Sequence, residues 1–66
     1  MSDSFIVCGK NCPEGYLHVV YCKGKYYLML YDTSNEFGVG DNVTWFDSNL
    51  LTSVLAFAFE RFKVRF

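Results

Sequence analysis

Tyr16-Leu17-His18-Val19-Val20-Tyr21-Cys22-Lys23-Gly24-Lys25-Tyr26-Tyr27-Leu28-Met29-Leu30-Tyr31 is the stretch that decides the fold. Two runs rich in aromatic and branched residues, 16–22 and 25–31, flank Lys23-Gly24. A two-residue connection ending in Gly suits a type I′ turn, whose twist matches that of the strands it joins. With Cys22 opposite Lys25, this register sets Leu17, Val19 and Tyr21 against Leu30, Leu28 and Tyr26, and that face is expected to be a core. The other face carries Tyr16, His18, Val20 and Cys22 against Tyr31, Met29, Tyr27 and Lys25, a set neither plainly polar nor plainly apolar.

On the N-terminal side, residues 5–8 read as a short strand that ends at the turn-rich segment 9–15, with its Gly, Asn and Pro. On the C-terminal side, 32–35 and 38–42 are polar turn segments, and 43–46 reads as a fourth short strand. Asp47 or Ser48 is suited to cap a helix, and the residues that follow have helical spacing. At 100° per residue, Leu51, Val54, Leu55, Ala58, Phe59, Phe62 and Phe66 fall on one arc that seeks the sheet. Leu50, Phe57 and Val64 form a second apolar stripe on its flank. Residues 62–66 alternate apolar and basic, as a strand does. Lacking a Gly, Asn or Pro between Phe59 and Phe62, they are nevertheless expected to continue the helix, with Arg61, Lys63 and Arg65 favourable at its C-terminal dipole. The expected architecture is a single α+β domain over residues 1–66: a small antiparallel sheet, made of a short strand, a central β-hairpin and a fourth short strand, packed on one C-terminal helix.

Composition agrees with one small domain. Sixty-six residues that are 52% hydrophobic and 20% aromatic exclude a disordered chain. A domain of this size buries only about 60% of the surface its unfolded chain exposes, so a dense core or a partner is expected to complete it. Six Lys and Arg stand against seven Asp and Glu, a net charge of -1, so nucleic acid is not the expected partner. The three cysteines, Cys8, Cys12 and Cys22, form an odd set, and the first four residues carry no basic run. Reduced thiols and a cytoplasmic location are therefore expected. The apolar stretch 50–59 is too short to cross a bilayer, and no membrane association is expected.

Candidate chemistries fail on spacing. Cys8, Cys12, His18 and Cys22 are the residue types of a zinc site, but His18 and Cys22 lie four apart in one expected strand, roughly 13 Å, too far to share a tetrahedral ion. Cys8 beside His18, oriented by Asp3 or Glu14, would make a nucleophilic pair, yet a chain with one histidine and so little volume offers a thin basis for catalysis. Gly38-Val39-Gly40 lacks the third Gly of a phosphate loop, and the 32–38 segment lacks the Gly and Glu of a calcium loop. No catalytic residue, metal or cofactor is expected.

What remains is recognition. Tyr16, His18, Tyr27, Met29 and Tyr31 belong to the side-chain types enriched at protein interfaces. Between Lys25 and Arg61 every charged residue is acidic, with Asp32, Glu36, Asp41 and Asp47 there, so Glu36 and Asp41 would border that band and favour a partner with a basic surface. The expected function is a small protein-binding module: a stoichiometric inhibitor or adaptor of a larger protein complex, the anti-CRISPR-type inhibitors that phages and mobile elements direct against host defence being one setting. The alternative is a structural homo-oligomer, such as a homodimer, joined through Leu50, Phe57 and Val64 or by edge strands. A single-stranded nucleic-acid binder using Tyr27 and Trp45 is the third reading.

Overall fold

A computed structural model describes residues 3–32 and 40–66. Four strands, β1 (Ser4–Cys12), β2 (Gly15–Cys22), β3 (Lys25–Asp32) and β4 (Asp41–Ser48), precede one helix, α1 (Leu51–Phe62). The strands form an antiparallel sheet in the order β1-β2-β3-β4, so each pairs with its neighbour in sequence. This is the α+β architecture expected from the sequence.

The hairpin takes the expected register, with Cys22 opposite Lys25, Val19 opposite Leu28 and Leu17 opposite Leu30. Its turn has positive φ at both Lys23 (51°) and Gly24 (83°), as type I′ requires. Lysine is poorly suited to that conformation, whereas Asn visits it readily. Lys23→Asn is accordingly expected to stabilise the protein by about 0.5–1 kcal/mol, read as a rise in the thermal melting midpoint.

The first strand is longer than residues 5–8. It continues through Gly9 and Asn11 to Cys12, and the turn shrinks to Pro13-Glu14, with Cys12 paired to Gly15. The reason lies across the sheet: a Cβ on Gly9 would collide with the ring and hydroxyl of Tyr16. Tyr16 packs over the bare backbone and covers a position that local propensity reads as a break. The fourth strand also outruns residues 43–46 at both ends, because β3 offers partners from Tyr26, opposite Ser48, to Asp32, opposite Asp41.

Bulges adjust both edge strands. One at Val7 lets Ile6 pair with Val20 and Cys8 with Val19. The other, at Trp45, lies between the Leu28–Phe46 and Met29–Thr44 pairs. Each extra residue reverses the alternation beyond it. Phe46 therefore stacks on Phe57 of the helix at 4.6 Å, while Trp45 still meets Phe62 edge-on at 5.4 Å.

Asp47 does not cap the helix. It lies in β4 opposite Tyr27 and forms an ion pair with Lys25 at 3.3 Å. Ser48 Oγ accepts from the Leu50 backbone N–H at 3.1 Å and turns the chain, and Leu50 itself occupies the cap position. The ladder to Tyr26 outweighs the capping preference of these two residues.

The helix packs chiefly on β3 and β4. Val54, Ala58 and Phe62 join Leu17, Val19, Leu28, Leu30 and Val64 in the core, with Leu51, Leu55 and Phe57 half-buried against it. Phe59 and Phe66, expected on the buried arc, are exposed. The continuous helix expected to Phe66 does not form either. Lys63 adopts the left-handed conformation, φ 59°, and its N–H donates to the Phe59 carbonyl at 2.9 Å, ending the helix at Phe62. Burial decides this: the reversal carries Val64 into the core, and Lys10 Nζ then donates to the Arg65 carbonyl at 3.2 Å. Residues 63–66 are neither helix nor strand.

Candidate protein-docking face

The helix covers one side of the sheet. The residues on the other side are set by alternation from the core positions: Tyr16, His18, Val20 and Cys22 of β2 and Lys25, Tyr27, Met29 and Tyr31 of β3. The structure brings together all five of the band residues read from the sequence. Tyr16 stands opposite Tyr31, His18 opposite Met29, and Val20 opposite Tyr27.

The two outer tyrosines are anchored by glycines. Tyr16 lies over Gly9 on β1, and Tyr31 lies over Gly40 just before β4, where a Cβ would collide with its ring and hydroxyl. Both still expose more than a third of their surface, 36% and 39%. Their rings are held in position while one side remains open to solvent, the condition for recognition at low entropic cost.

His18 is 7% exposed, although it lies on the side away from the helix. Tyr16 stacks on its imidazole at 5.4 Å and 20°, and its cross-strand neighbours are Gly9 and Met29. Nδ1 lies 3.4 Å from the Tyr16 carbonyl oxygen, which accepts when that nitrogen carries the proton. His18 is thus the floor of the band, while Tyr27 and Met29 are half-buried. Ile6, opposite Val20 and 58% exposed, extends the band onto β1. The bulge at Val7 is what places Ile6 opposite Val20, and simple alternation along residues 5–8 does not reveal it.

Asp41 opens β4, paired with Asp32 in the ladder, and Glu36 lies outside the described residues. Of the residues read as an oligomer interface, Leu50 is exposed, Phe57 stacks on Phe46, and Val64 is in the core. They do not form one exposed stripe. Tyr27 and Trp45, read together as stacking aromatics, lie on opposite sides of the sheet, Trp45 against the helix residue Phe62.

Cys8 is on the helix side, paired with Val19, whereas His18 faces away, so the sheet separates the two groups of the conceivable nucleophilic pair. Burial raises the Cys8 thiol above its ordinary pKa, which keeps it protonated and weakly nucleophilic. Among the described residues, no three His, Cys, Asp or Glu side chains approach closely enough to hold a metal ion, and no pocket opens. No described helix is long and apolar enough to cross a membrane. No family model, curated protein or solved structure matches the chain.

Proposed function

We propose that the protein is a small non-enzymatic binding module, a stoichiometric inhibitor or adaptor that docks a larger protein on the Tyr16, His18, Tyr27, Met29 and Tyr31 face. The observation that carries this reading is that anchored, part-exposed tyrosines occupy the one side of the sheet on which the helix does not pack. Tyr and Met present large adaptable contact area, and Tyr adds a hydroxyl that tolerates both water and an interface. The excess of acidic residues between Lys25 and Arg61, Glu36 and Asp41 among them, suits a partner with a basic surface. A cytoplasmic setting, with phage-borne inhibition of host defence as one instance, fits a free-thiol domain of this size.

The test is a tagged pull-down from host lysate, comparing the natural chain with a Tyr27→Ser, Tyr31→Ser variant whose fold is checked by circular dichroism. Truncating two interface tyrosines is expected to weaken capture of a stoichiometric partner by about 100-fold or more. Capture that survives both substitutions would remove this face from the reading. A self-associated bait recovered alone would favour a homo-oligomer instead, joined along the β1 edge where Phe5 and Ile6 are 60% and 58% exposed.

A further inference from the structure

Among the described residues β1 pairs with β2 alone, so its other side is an open edge of the sheet. Edge strands of soluble proteins are commonly guarded by charge or Pro, because their unpaired N–H and C=O groups can accept another strand. The opposite edge, β4, carries Asp41 and Asp47, and Arg61 stacks over its Trp45. In β1 the run from Ser4 to Gly9 has neither a charge nor a Pro.

The apolar residues of this edge are open on both faces of the sheet. Phe5, 60% exposed, pairs with Tyr21 on the helix side, their ring centres 5.4 Å apart. Ile6, 58% exposed, lies on the opposite side with Val20. A partner lying flat on one face would cover one of the two and leave the other in water. A strand added edge-on covers both, because its own side chains alternate between the faces.

The bulge at Val7 indicates which strand that is. Strict alternation would set Asp3 and Lys10 on opposite faces. With the extra residue between them, Lys10, opposite Leu17, and Phe5, opposite Tyr21, share the helix side, and alternation carries Asp3 to the same side as Phe5. Two β1 strands related by a two-fold axis perpendicular to the sheet run antiparallel and must pair residues of one face. With the axis at the bulge, Phe5 of each copy meets Cys8 of the other, Ser4 meets Gly9, and Asp3 meets Lys10. Opposite charges then close both ends of the pairing, and the two bulges coincide at the axis instead of facing a regular strand. The charges of β4 are all acidic, so that edge has no such self-complement.

We propose that the protein forms a two-fold homodimer in which β1 pairs antiparallel with β1 of a second copy and joins the two sheets into one. The axis keeps both tyrosine bands on the same side, with Ile6 of each copy between them. The dimer does not depend on the protein-docking reading; where that reading holds, one partner meets both bands.

Sedimentation equilibrium of the full chain from micromolar to millimolar concentration is expected to show a mass that rises from 7.6 kDa to twice that value. Ile6→Lys, which brings two like charges together at the axis, should remain monomeric throughout. Ile6 is exposed, and a melting curve confirms that the variant folds. Asp3→Lys and Lys10→Asp each oppose like charges at both ends of the pairing and should weaken dimerisation about tenfold. Asp3→Lys leaves the Lys10 contact with the Arg65 carbonyl intact, so its effect is that of the pairing alone. The Asp3→Lys, Lys10→Asp double variant restores the charge pairs in reverse and should dimerise within about threefold of the natural chain. The Tyr27→Ser, Tyr31→Ser protein should dimerise unchanged, which separates this contact from the docking face. The proposal is overturned by a monomer at every concentration, by a mass that keeps rising past the dimer, by a dimer that survives Ile6→Lys, or by a double variant no stronger than the single ones.

Discussion

Leu28→Ala is expected to remove about 3–4 kcal/mol of stability, read as a fall in the urea midpoint with the slope of the transition unchanged. Leu28 is fully buried, paired with Val19 on one side and Phe46 on the other, in the cluster that contains Val54 and Ala58 of the helix. It stands where β2, β4 and α1 all converge on β3. A cavity there is bounded by backbone ladders on both sides, which restricts collapse, so the cost falls above the minimum for such a truncation. A domain of this length has a total stability of about 3–10 kcal/mol, so the variant is expected to be largely unfolded at physiological temperature if the protein lies at the low end of that range. A loss under 1 kcal/mol would show that the helix does not close on the sheet as described.

Gly15→Ala is the second large effect, and its cause is backbone rather than core. Gly15 has φ 146°, a conformation that side-chain-bearing residues rarely adopt. A Cβ there would collide with the Tyr31 carbonyl oxygen and press on the Tyr31 carbonyl carbon at 3.2 Å. Neither atom is the free end of a side chain, so relief requires β2 and β3 to part at that end. Overpacking contributes about 1–3 kcal/mol, and the unfavourable backbone conformation about 1 kcal/mol more. Gly24→Ala is the control: its φ is also positive, at 83°, but nothing lies within 4 Å of the added carbon. It should lose only about 1 kcal/mol. Equal losses at the two glycines would contradict the close approach at Gly15.

Separation of Tyr31 from Gly15 would also disturb the docking face, since Tyr31 is held over Gly40 from the same end of β3. Gly15→Ala is therefore expected to weaken partner capture as well as stability.

The five residues of the tyrosine band could be placed on one face from the sequence because alternation follows from the pleat, and the Lys23-Gly24 turn sets which residues oppose one another. Their degree of exposure was not legible, since the burial of His18 depends on Tyr16 and on the lack of a side chain at Gly9, residues from two strands. The side of the sheet taken by Trp45 was hidden more thoroughly. Strict alternation places Trp45 and Phe46 on opposite faces, and only the bulge lets both meet the helix.

By itself, the sequence determined the hairpin, its register, the core pairs Leu17–Leu30 and Val19–Leu28, and one helix after the last strand, because turn chemistry and periodicity act between residues close in the chain. Tertiary structure alone decided where β1 and α1 end. Gly9 remains in a strand because Tyr16 covers it, and the helix stops at Phe62 because a left-handed Lys63 lets Val64 reach the core. In both places a contact distant in sequence outweighs a local preference of about 1 kcal/mol or less.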